Sequence, residues 1–506
     1  MVVSELVQNI DRELAALAPQ GVPGCAIGVV LEGETVYARG AGIANLSCGL
    51  PVTTNTAFYA ASLAKQFTGC CIALLRERGA VDITDEVGVY LPELPTYEYP
   101  VTIAHLLSHT SGLPDYIQLF FALGFHDNRE LDHITDREVF DLLLRQDRLE
   151  FPPGSEFRYT NTGYFLLARV IETVAGCSFR EFAEREIFQP LGMDRTAFLQ
   201  HAGEVVPEVA VGYRRIGQDG FREYTTGNSI GGASGMVTTI NDLCAWAVNL
   251  VQPAIGKRPQ ELVDLMFRSG VLADGSPCGY GFGFQIDVHA GLKHVNHVGN
   301  FGALTSVIHH FPERSLSVVG LTNRDGLDVT QVALRIADGF LQGEPVSLGT
   351  VSVQGEKRQA PVAEFDRTLA GRYAGIYRSV RTRRVAMFDA EDGDLLFCVP
   401  GKICDKHIYR PLSENRFTLA VRGTGDVLPS PEIEFTSRSD GSDEIEVQFV
   451  YGPDFKSRYR RFTPALLSEA DLESYAGAYY CRSLDVVVIC AQRRKGLRCG
   501  CRPSGV

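Results

Sequence analysis

The chain contains one S-x-x-K pattern, within the stretch Ala60-Ala61-Ser62-Leu63-Ala64-Lys65-Gln66-Phe67-Thr68. Apolar residues recur at helical spacing after it until Gly79, which predicts a helix. Residues three apart on a helix share a face, so the Ser62 hydroxyl is expected beside the Lys65 amine. Ser62 would then lie at a helix N-terminus, where free N–H groups favour a developing oxyanion. A chance match is the alternative, because roughly one or two such strings are expected in a chain this long.

The length and composition are those of a globular protein. A chain of 506 residues is expected to hold two or three domains. Hydrophobic residues make up 45% and charged residues 22%, and the net charge of −13 argues against binding to nucleic acids or anionic membranes. No run of 18 apolar residues is present, so no membrane-spanning helix is predicted.

The N-terminal residues and the cysteines indicate the compartment. Leu6, Ile10, Leu14 and Leu17 predict an amphipathic helix rather than a signal peptide. The thirteen cysteines are odd in number and follow no disulfide-framework spacing, so most are expected to be reduced. We therefore expect a cytoplasmic protein, or a periplasmic one if a leader has been removed.

Hydrophobic patterns predict an α+β domain over residues 1–341. A hairpin is expected over 25–38, helices then dominate to about residue 250, and further strands are expected at 280–285, 295–298, 306–311 and 315–321. A final helix is predicted at 331–341. Strands at both ends with helices between them imply one antiparallel sheet assembled from distant parts of the chain and covered by a helical region.

The remainder of the chain is predicted to be a linker followed by β structure. Residues 342–364 are rich in proline and glycine, and residues 365–464 alternate as short strands typical of a small antiparallel β-barrel or sandwich. Tyr373-Ala374-Gly375-Ile376-Tyr377 returns as Tyr475-Ala476-Gly477-Ala478-Tyr479. Residues 465–506 are thus expected to be a truncated second repeat, a disordered tail or an out-of-frame end. Cys499-x-Cys501 lacks enough further ligands, so no metal site is predicted.

A second pattern, Tyr159-Thr160-Asn161, is the only Y-x-N in the chain. It lies between a Pro-Gly loop and a helical run from Gly163. If neighbouring cations lowered its pKa, Tyr159 could act as a base toward Ser62 and as an acid toward the leaving group. Asn161 could bind Lys65 and a substrate carbonyl. A surface tyrosine beside an Asn cap is the alternative.

A third pattern is expected to supply the edge strand of the site. H-x-G occurs three times, and His297-Val298-Gly299-Asn300 is the copy that lies in a predicted strand. Gly299 would let a substrate backbone approach closely. The backbone N–H groups of Asn300 and Ser62 would together form an oxyanion hole.

Together, in this order, the three patterns resemble the serine β-lactamase and penicillin-recognising enzyme superfamily, whose signature includes S-x-x-K. Y-x-N in place of S-D-N, and H-x-G in place of K-T-G, are similar to the branch of D-aminopeptidases, DD-peptidase-like proteins and class C-like esterases. Two further strings fit that branch, His105-Leu106-Leu107-Ser108-His109-Thr110-Ser111-Gly112-Leu113-Pro114 and Tyr280-Gly281-Phe282-Gly283. The resemblance covers about residues 20–340, and the architecture with C-terminal β modules most resembles D-aminopeptidase.

The resemblance implies a serine hydrolase with an acyl-enzyme on Ser62 and no cofactor. Lys65 and Tyr159 would handle protons, Asn161 would orient, and His297 would replace the lysine of K-T-G. Small amides or short peptides with D-residues are the expected substrates, and a homodimer is left open. Histidine is a weaker, pH-dependent cation, so β-lactamase activity is expected to be weak at most. The alternatives are a carboxylesterase and a catalytically silent binding protein.

Overall fold

The structure, a computed structural model, describes most of the first 343 residues and the strands beyond them. The described residues are 3–19, 21–123, 130–216, 220–225, 227–343, 372–379, 385–391, 394–398, 407–411, 416–420, 427–437, 445–450, 456–462, 477–481, 486–493 and 496–503. The chain divides into two compact units, residues 1–120 with 127–351, and residues 121–126 with 352–506.

Ten α-helices lie in the described ranges: α1 (Val3–Leu17), α2 (Ala64–Glu77), α3 (Ile103–Leu107), α4 (Tyr116–Ala122), α5 (Asp136–Leu143), α6 (Asn161–Ala175), α7 (Phe179–Ala183), α8 (Ile240–Val251), α9 (Pro259–Met266) and α10 (Val329–Gln342). Short 3₁₀ turns occur at Ala61–Leu63, Val87–Val89, Glu130–His133 and Pro312–Arg314, and a π turn extends α7 over Glu184–Phe188. None of the helices in the described ranges has both the length and the apolar character needed to cross a membrane.

The strands of the first unit are β1 (Cys25–Leu31), β2 (Glu34–Ala41), β3 (Ile43–Asn45), β4 (Leu50–Pro51), β5 (Phe58–Tyr59), β6 (Ala197–Phe198), β7 (Tyr213–Ile216), β8 (Gly220–Glu223), β9 (Met236–Thr238), β10 (Tyr280–Gly281), β11 (Phe284–His289), β12 (Leu292–Phe301), β13 (Leu304–Phe311) and β14 (Leu316–Thr322). Seven of them form one antiparallel sheet in the order β10-β11-β12-β13-β14-β1-β2. The N-terminal hairpin joins the sheet because β1 pairs with β14, the last strand of this unit, with Cys25 opposite Thr322. The predicted α+β fold, with one antiparallel sheet built from both ends of this domain, is confirmed.

Helices cover both faces of the sheet. On one face, Leu6, Ile10 and Leu14 of α1 and the apolar side of α10 bury the sheet residues Ile27 and Val318. On the other face, α8 lies so close to β1 that a side chain at Gly28 would overlap Cys244. This burial fixes the strand register, because a slip of one residue would expose the apolar set.

The helical region places the two predicted motifs near each other. The 3₁₀ turn Ala61–Leu63 leads directly into α2. All twelve residues from Ala64 to Leu75 are buried, and Lys65 is the one charged residue among them. Helix α6 begins at Asn161, two residues earlier than the pattern predicted, because the Thr160 hydroxyl accepts a hydrogen bond from the Thr162 N–H and caps it. Contacts between α2 and α6 bring the two helix beginnings together.

From Gly375 onward, the described residues of the second unit form strands, and its predicted linker, 342–364, falls almost wholly outside the described residues. Eight strands pair antiparallel in chain order, and the first also pairs with the last: β15 (Gly375–Ser379), β16 (Val385–Glu391), β17 (Asp394–Cys398), β18 (His407–Pro411), β19 (Arg416–Ala420), β20 (Val427–Ser437), β21 (Ile445–Val450) and β22 (Lys456–Phe462). Three more form a separate antiparallel sheet: β23 (Gly477–Cys481), β24 (Val486–Arg493) and β25 (Gly496–Pro503). The barrel and the truncated repeat stay predictions.

Candidate active site

Ser62 lies in a strained turn at the start of α2. Its neighbour Ala61 has a φ of +47°, a left-handed conformation that is uncommon for a residue with a side chain. Hydrogen bonds to two neighbouring strands stabilise the turn. The Ala60 N–H donates to the Met236 carbonyl at 2.8 Å, and the Ser306 hydroxyl donates to the Ala60 carbonyl at 2.7 Å. Ser62 itself remains partly exposed, as a group that must meet a substrate requires.

The Lys65 amine lies at the centre of the site and is fully buried. Its Nζ is 3.1 Å from the Ser62 Oγ, 2.9 Å from the Asn161 Oδ1 and 2.7 Å from the Ala233 carbonyl oxygen. Three acceptors match the three N–H donors of an ammonium group. Ala233 belongs to a glycine-rich loop that sequence patterns did not single out.

The protonation of Lys65 is set by two opposing effects. Burial lowers the pKa of Lys65 to about 7, and the Asp115 carboxylate acts in the opposite direction. At neutral pH the amine therefore exists in both charge states. A neutral amine 3.1 Å from a hydroxyl has a lone pair that can take its proton.

Tyr159 faces the same space as Ser62. Its ring lies 4.9 Å from the Lys65 Nζ, measured to the ring centre, and the residue is 39% exposed. Despite that exposure of the ring, desolvation raises the pKa of the Tyr159 hydroxyl above its ordinary value, Asp115 raises it further, and a hydrogen bond with Ser62 opposes this. The phenol is thus protonated at neutral pH. This differs from the sequence-based hypothesis that cations lower its pKa and make it a base.

Asn161 is held in one orientation by Asp115. The Asp115 Oδ2 accepts hydrogen bonds from the Asn161 backbone N–H at 2.5 Å and from its side-chain Nδ2 at 3.2 Å. With Nδ2 bound to a carboxylate, the Asn161 Oδ1 must point toward Lys65. The assignment of oxygen and nitrogen in the carboxamide follows from these partners.

His109 supports the loop that carries Tyr159. It is fully buried and has a φ of +57°, and its ring packs against those of both Tyr159 and Tyr280, at 4.3 and 4.4 Å between ring centres. Its Nδ1 accepts a hydrogen bond from the Thr160 N–H at 3.2 Å, and its carbonyl accepts one from the Arg158 N–H at 2.8 Å. Burial and the nearby Lys65 hold the pKa of His109 well below its usual range, so the ring is neutral.

His297 lies on β12 beside the other site residues, but it is not a cation. Burial, followed by the charge of Lys65, lowers the pKa of His297 to about 3. Its Nε2 is 2.8 Å from the Tyr280 hydroxyl. At neutral pH His297 therefore offers hydrogen bonding and no positive charge, which is a stronger departure from lysine than the sequence suggested.

Gly299 and Asn300 follow on the same strand. A side chain at Gly299 would overlap the Ala60 carbonyl oxygen and the Ser306 hydroxyl, so this glycine lets β12 pack against the Ser62 turn. The approach of substrate backbone to Gly299 stays a prediction.

The backbone N–H of Asn300 points toward the part of the β12 edge that β11 does not pair with. Phe301 and Leu304 flank a two-residue hairpin loop, so they form a hydrogen-bonded pair between β12 and β13. Hydrogen-bonded and non-hydrogen-bonded pairs alternate along an antiparallel ladder, so the next pair, Asn300 and Thr305, is not hydrogen-bonded. The Asn300 N–H therefore points away from β13. On that side, β11 pairs with β12 only as far as Asn296. This direction is the one required of an oxyanion donor, a role that stays a prediction.

His109 and Asp115 belong to this site, but they were not among the functional residues predicted from the sequence. Both lie in or next to the string from His105 to Pro114, which was recognised only as a resemblance. Asp115 did carry a signal, because an Asp directly before an apolar run is typical of a helix N-cap. Nothing in the pattern indicated that its second oxygen binds Asn161, 46 residues away.

Comparison with known proteins identifies the family. Residues 7–340 match the Beta-lactamase family. The chain belongs to it. Penicillin-binding protein 4* of Bacillus subtilis (strain 168) is 29% identical over 429 residues, which cover 81% of this chain and 89% of that protein. The octameric penicillin-binding protein homologue from Pyrococcus abyssi has a similar structure, with a TM-score of 0.59 and 25% identity over 91% of this chain and 100% of that one.

D-Aminopeptidases are similar over a smaller part. The D-aminopeptidase of Gluconobacter oxydans (strain 621H) is 29% identical over 313 residues, 62% of this chain, and the match spans 57% of that protein's length. The family resemblance inferred from the sequence, to β-lactamases, penicillin-binding proteins and D-aminopeptidases, is therefore confirmed.

Proposed function

We propose that this protein is a serine hydrolase that forms an acyl-enzyme on Ser62 and cleaves small amides or short peptides with D-residues. One observation carries the proposal: a buried lysine amine with a pKa of about 7 lies 3.1 Å from a partly exposed serine hydroxyl. A buried amine costs stability, and perturbed groups of this kind are concentrated at catalytic sites.

In the acylation step, the neutral Lys65 amine takes the Ser62 proton while the Oγ attacks the substrate carbonyl carbon. The tetrahedral oxyanion is bound by the backbone N–H groups of Ser62 and Asn300, and losing one such donor typically costs ~10²–10³ in rate. The protonated phenol of Tyr159 donates to the leaving nitrogen or oxygen and recovers a proton from Lys65. Water then reverses these roles and releases the acid product from Ser62.

The neutral His297 narrows the substrate class. A substrate carboxylate at this position would meet a hydrogen-bonding group without a positive charge, because the pKa of His297 is about 3. We therefore propose that substrates bind through their amide or ester carbonyl, and that penicillins react weakly. The similarity to D-aminopeptidases over 62% of the chain favours amides of D-amino acids among the substrates that lack a carboxylate.

The test is covalent labelling followed by a substrate comparison. The protein is incubated with a fluorophosphonate, the adduct is mapped by mass spectrometry, and turnover of D-alanine p-nitroanilide is compared with that of p-nitrophenyl acetate. We expect an adduct on Ser62 and amide turnover. The Ser62→Ala variant should lose turnover with a nearly unchanged Tm, and an unlabelled Ser62 in the wild type would refute the enzyme proposal.

A carboxylesterase using the same groups is the second candidate. The absence of charge at His297 favours it, since simple esters need no carboxylate anchor. Turnover of p-nitrophenyl acetate without turnover of the anilide would show that the protein is a carboxylesterase. A silent binding protein is disfavoured, because binding alone does not need a buried lysine beside a serine.

For the second unit, we propose that residues 365–464 form an antiparallel β-barrel. The pairing of β15 with β22 supports this proposal, because a ring of eight strands closed in this way would have no exposed sheet edges. Limited proteolysis of the full chain should yield a resistant fragment with these bounds, and rapid degradation of the whole region would contradict the barrel.

A further inference from the structure

Asp115 receives four hydrogen bonds, divided equally between its two oxygens. Its Oδ1 accepts from the backbone N–H groups of Ile117 at 2.9 Å and Gln118 at 3.3 Å, at the beginning of α4. Its Oδ2 accepts from the backbone N–H and the Nδ2 of Asn161. One carboxylate thus joins the first turn of α4 to the first residue of α6. An amide in its place has a single acceptor oxygen and could satisfy only one of the two pairs.

The charge of Asp115 also acts on Lys65. We propose that Asp115 is a positioning residue that orients Asn161 toward Lys65 and keeps the Lys65 amine basic enough to accept the Ser62 proton. This inference rests on the proposed acyl-enzyme function and assigns a further residue to it. The side chain of Asp115 binds Asn161 and not Ser62, so it acts through Asn161 and through its electric field.

The donors and acceptors around Asn161 fix the orientation of its carboxamide. If the Asn161 carboxamide turned over, its Nδ2 would face the Lys65 Nζ, a donor against a donor, and the Asn161 Oδ1 would face the Asp115 carboxylate. Both contacts would be repulsive, so the carboxylate selects one orientation. The Lys65 Nζ then keeps its 2.9 Å contact with the Asn161 Oδ1 and stays directed at Ser62.

Several charged or titratable groups surround the Lys65 amine. Among the described residues, those that interact with it are Asp115, His109, His297, Tyr159 and Tyr164. Both histidines are neutral and both phenols protonated at neutral pH, because burial shifts their pKa values in those directions. Asp115 is therefore the group whose charge opposes the effect of burial on Lys65. Without it, the pKa of Lys65 falls further, and a weaker base accepts the serine proton less effectively.

The experiment measures the rate of Ser62 labelling by a fluorophosphonate as a function of pH, with the full-length chain and mass spectrometry. The wild type should show a rate that rises with pH through about 7, the pKa of Lys65. In Asp115→Asn this rise should move to lower pH, and the plateau rate should fall about tenfold. In Asp115→Glu the charge is kept and the geometry altered, so the plateau should fall while the rise stays near its wild-type pH.

A matched control separates these effects from the loss of a helix cap. Asp328 caps α10 by accepting from the Gln331 N–H at 3.0 Å, far along the chain from the site. Asp328→Ala removes this cap, so it should lower the Tm and leave the pH dependence of labelling unchanged. If wild-type Ser62 is labelled and the labelling rate of Asp115→Asn rises at the same pH as that of the wild type, the Asp115 proposal alone is overturned. Failure to label wild-type Ser62 would overturn the proposed function instead.

Discussion

Gly299 of β12 lies directly against Ala60, with no space between them for a side chain. A Cβ at Gly299 would overlap the Ala60 carbonyl oxygen and would lie 3.1 Å from the Leu63 backbone nitrogen. Ser306, opposite Gly299 on β13, donates its hydroxyl to the same carbonyl. The sheet and the Ser62 turn are therefore locked together through backbone atoms, and this contact sets the separation between the nucleophile and the strand.

Replacement of this glycine is expected to damage both stability and activity. Gly299→Ala should lower the free energy of unfolding by about 1–3 kcal/mol, because backbone must move to admit the methyl group. Ser62 labelling should fall ~10²-fold as the Asn300 N–H is displaced. Urea unfolding and labelling rates measure the two effects. Gly88→Ala is the control, since a Cβ at Gly88 meets no atom within 4 Å; equal results for both variants would contradict the packing argument.

Lys65 is expected to make the stability of the protein depend on pH. Its pKa is about 7 when folded and 10.5 in its ordinary state. Below pH 7 the amine is protonated in both the folded and the unfolded protein, so the folded protein bears the full cost of burying its charge. Between about 7 and 10.5 only the unfolded state binds the proton, so this contribution to stability rises with pH by up to about 1.4 kcal/mol per unit.

The variant Lys65→Met lacks that contribution. The free energy of unfolding of the variant minus that of the wild type should therefore be more positive at pH 7 than at pH 9. Urea unfolding at both values measures it, and Lys257→Met, at an exposed position, is the control for replacing a lysine by methionine. A pH-independent difference for Lys65→Met would show that the amine is not titrating near neutrality.

Tyr159 is expected to matter for chemistry more than for folding. In Tyr159→Phe the ring keeps its packing on His109 and loses only the hydroxyl, so turnover should fall ~10²–10⁴-fold with little change in Tm. Tyr99→Phe, at a residue that is 43% exposed, is the comparison and should leave turnover unchanged. Full turnover by Tyr159→Phe would remove Tyr159 from the proton-transfer scheme.

Charge at position 297 is expected to control the reaction with penicillins. His297→Lys supplies the cation that the neutral histidine lacks, and labelled penicillin should then acylate Ser62 about tenfold faster relative to a fluorophosphonate. His297→Gln keeps a hydrogen-bonding group without charge and should show no such gain. An equal gain in both variants would mean that space, and not charge, limits penicillin binding.

Much of the fold followed from local patterns. The Glu32-Gly33 turn was predicted from its position between two strand-like runs, and the structure has both residues at positive φ, 53° and 84°, as a tight hairpin turn requires. Likewise, α1 and α10 were predictable from apolar periodicity, and burial of Leu6, Ile10 and Leu14 confirms the expected face of α1. The beginning of α6 was misplaced by two residues, since Thr160 caps the helix through its own side chain.

The electrostatic state of the site was not predictable in the same way. The pKa directions of Lys65, Tyr159 and His297 depend on burial by residues distant in the chain. Likewise, Asp115 and Asn161 are 46 residues apart and meet only because α4 and α6 begin side by side.

The sequence by itself determined which chemical groups are present and their local spacing: a serine and a lysine three residues apart, a tyrosine and an asparagine two apart, and a glycine in a strand. Those spacings are properties of one helix turn or one strand, and short-range geometry suffices to interpret them. Only the tertiary structure decided the charges. It buries Lys65 until its amine is half deprotonated near pH 7, leaves His297 neutral and Tyr159 protonated, and aims Asn161 through Asp115, because desolvation and long-range hydrogen bonds exist only once distant segments pack together.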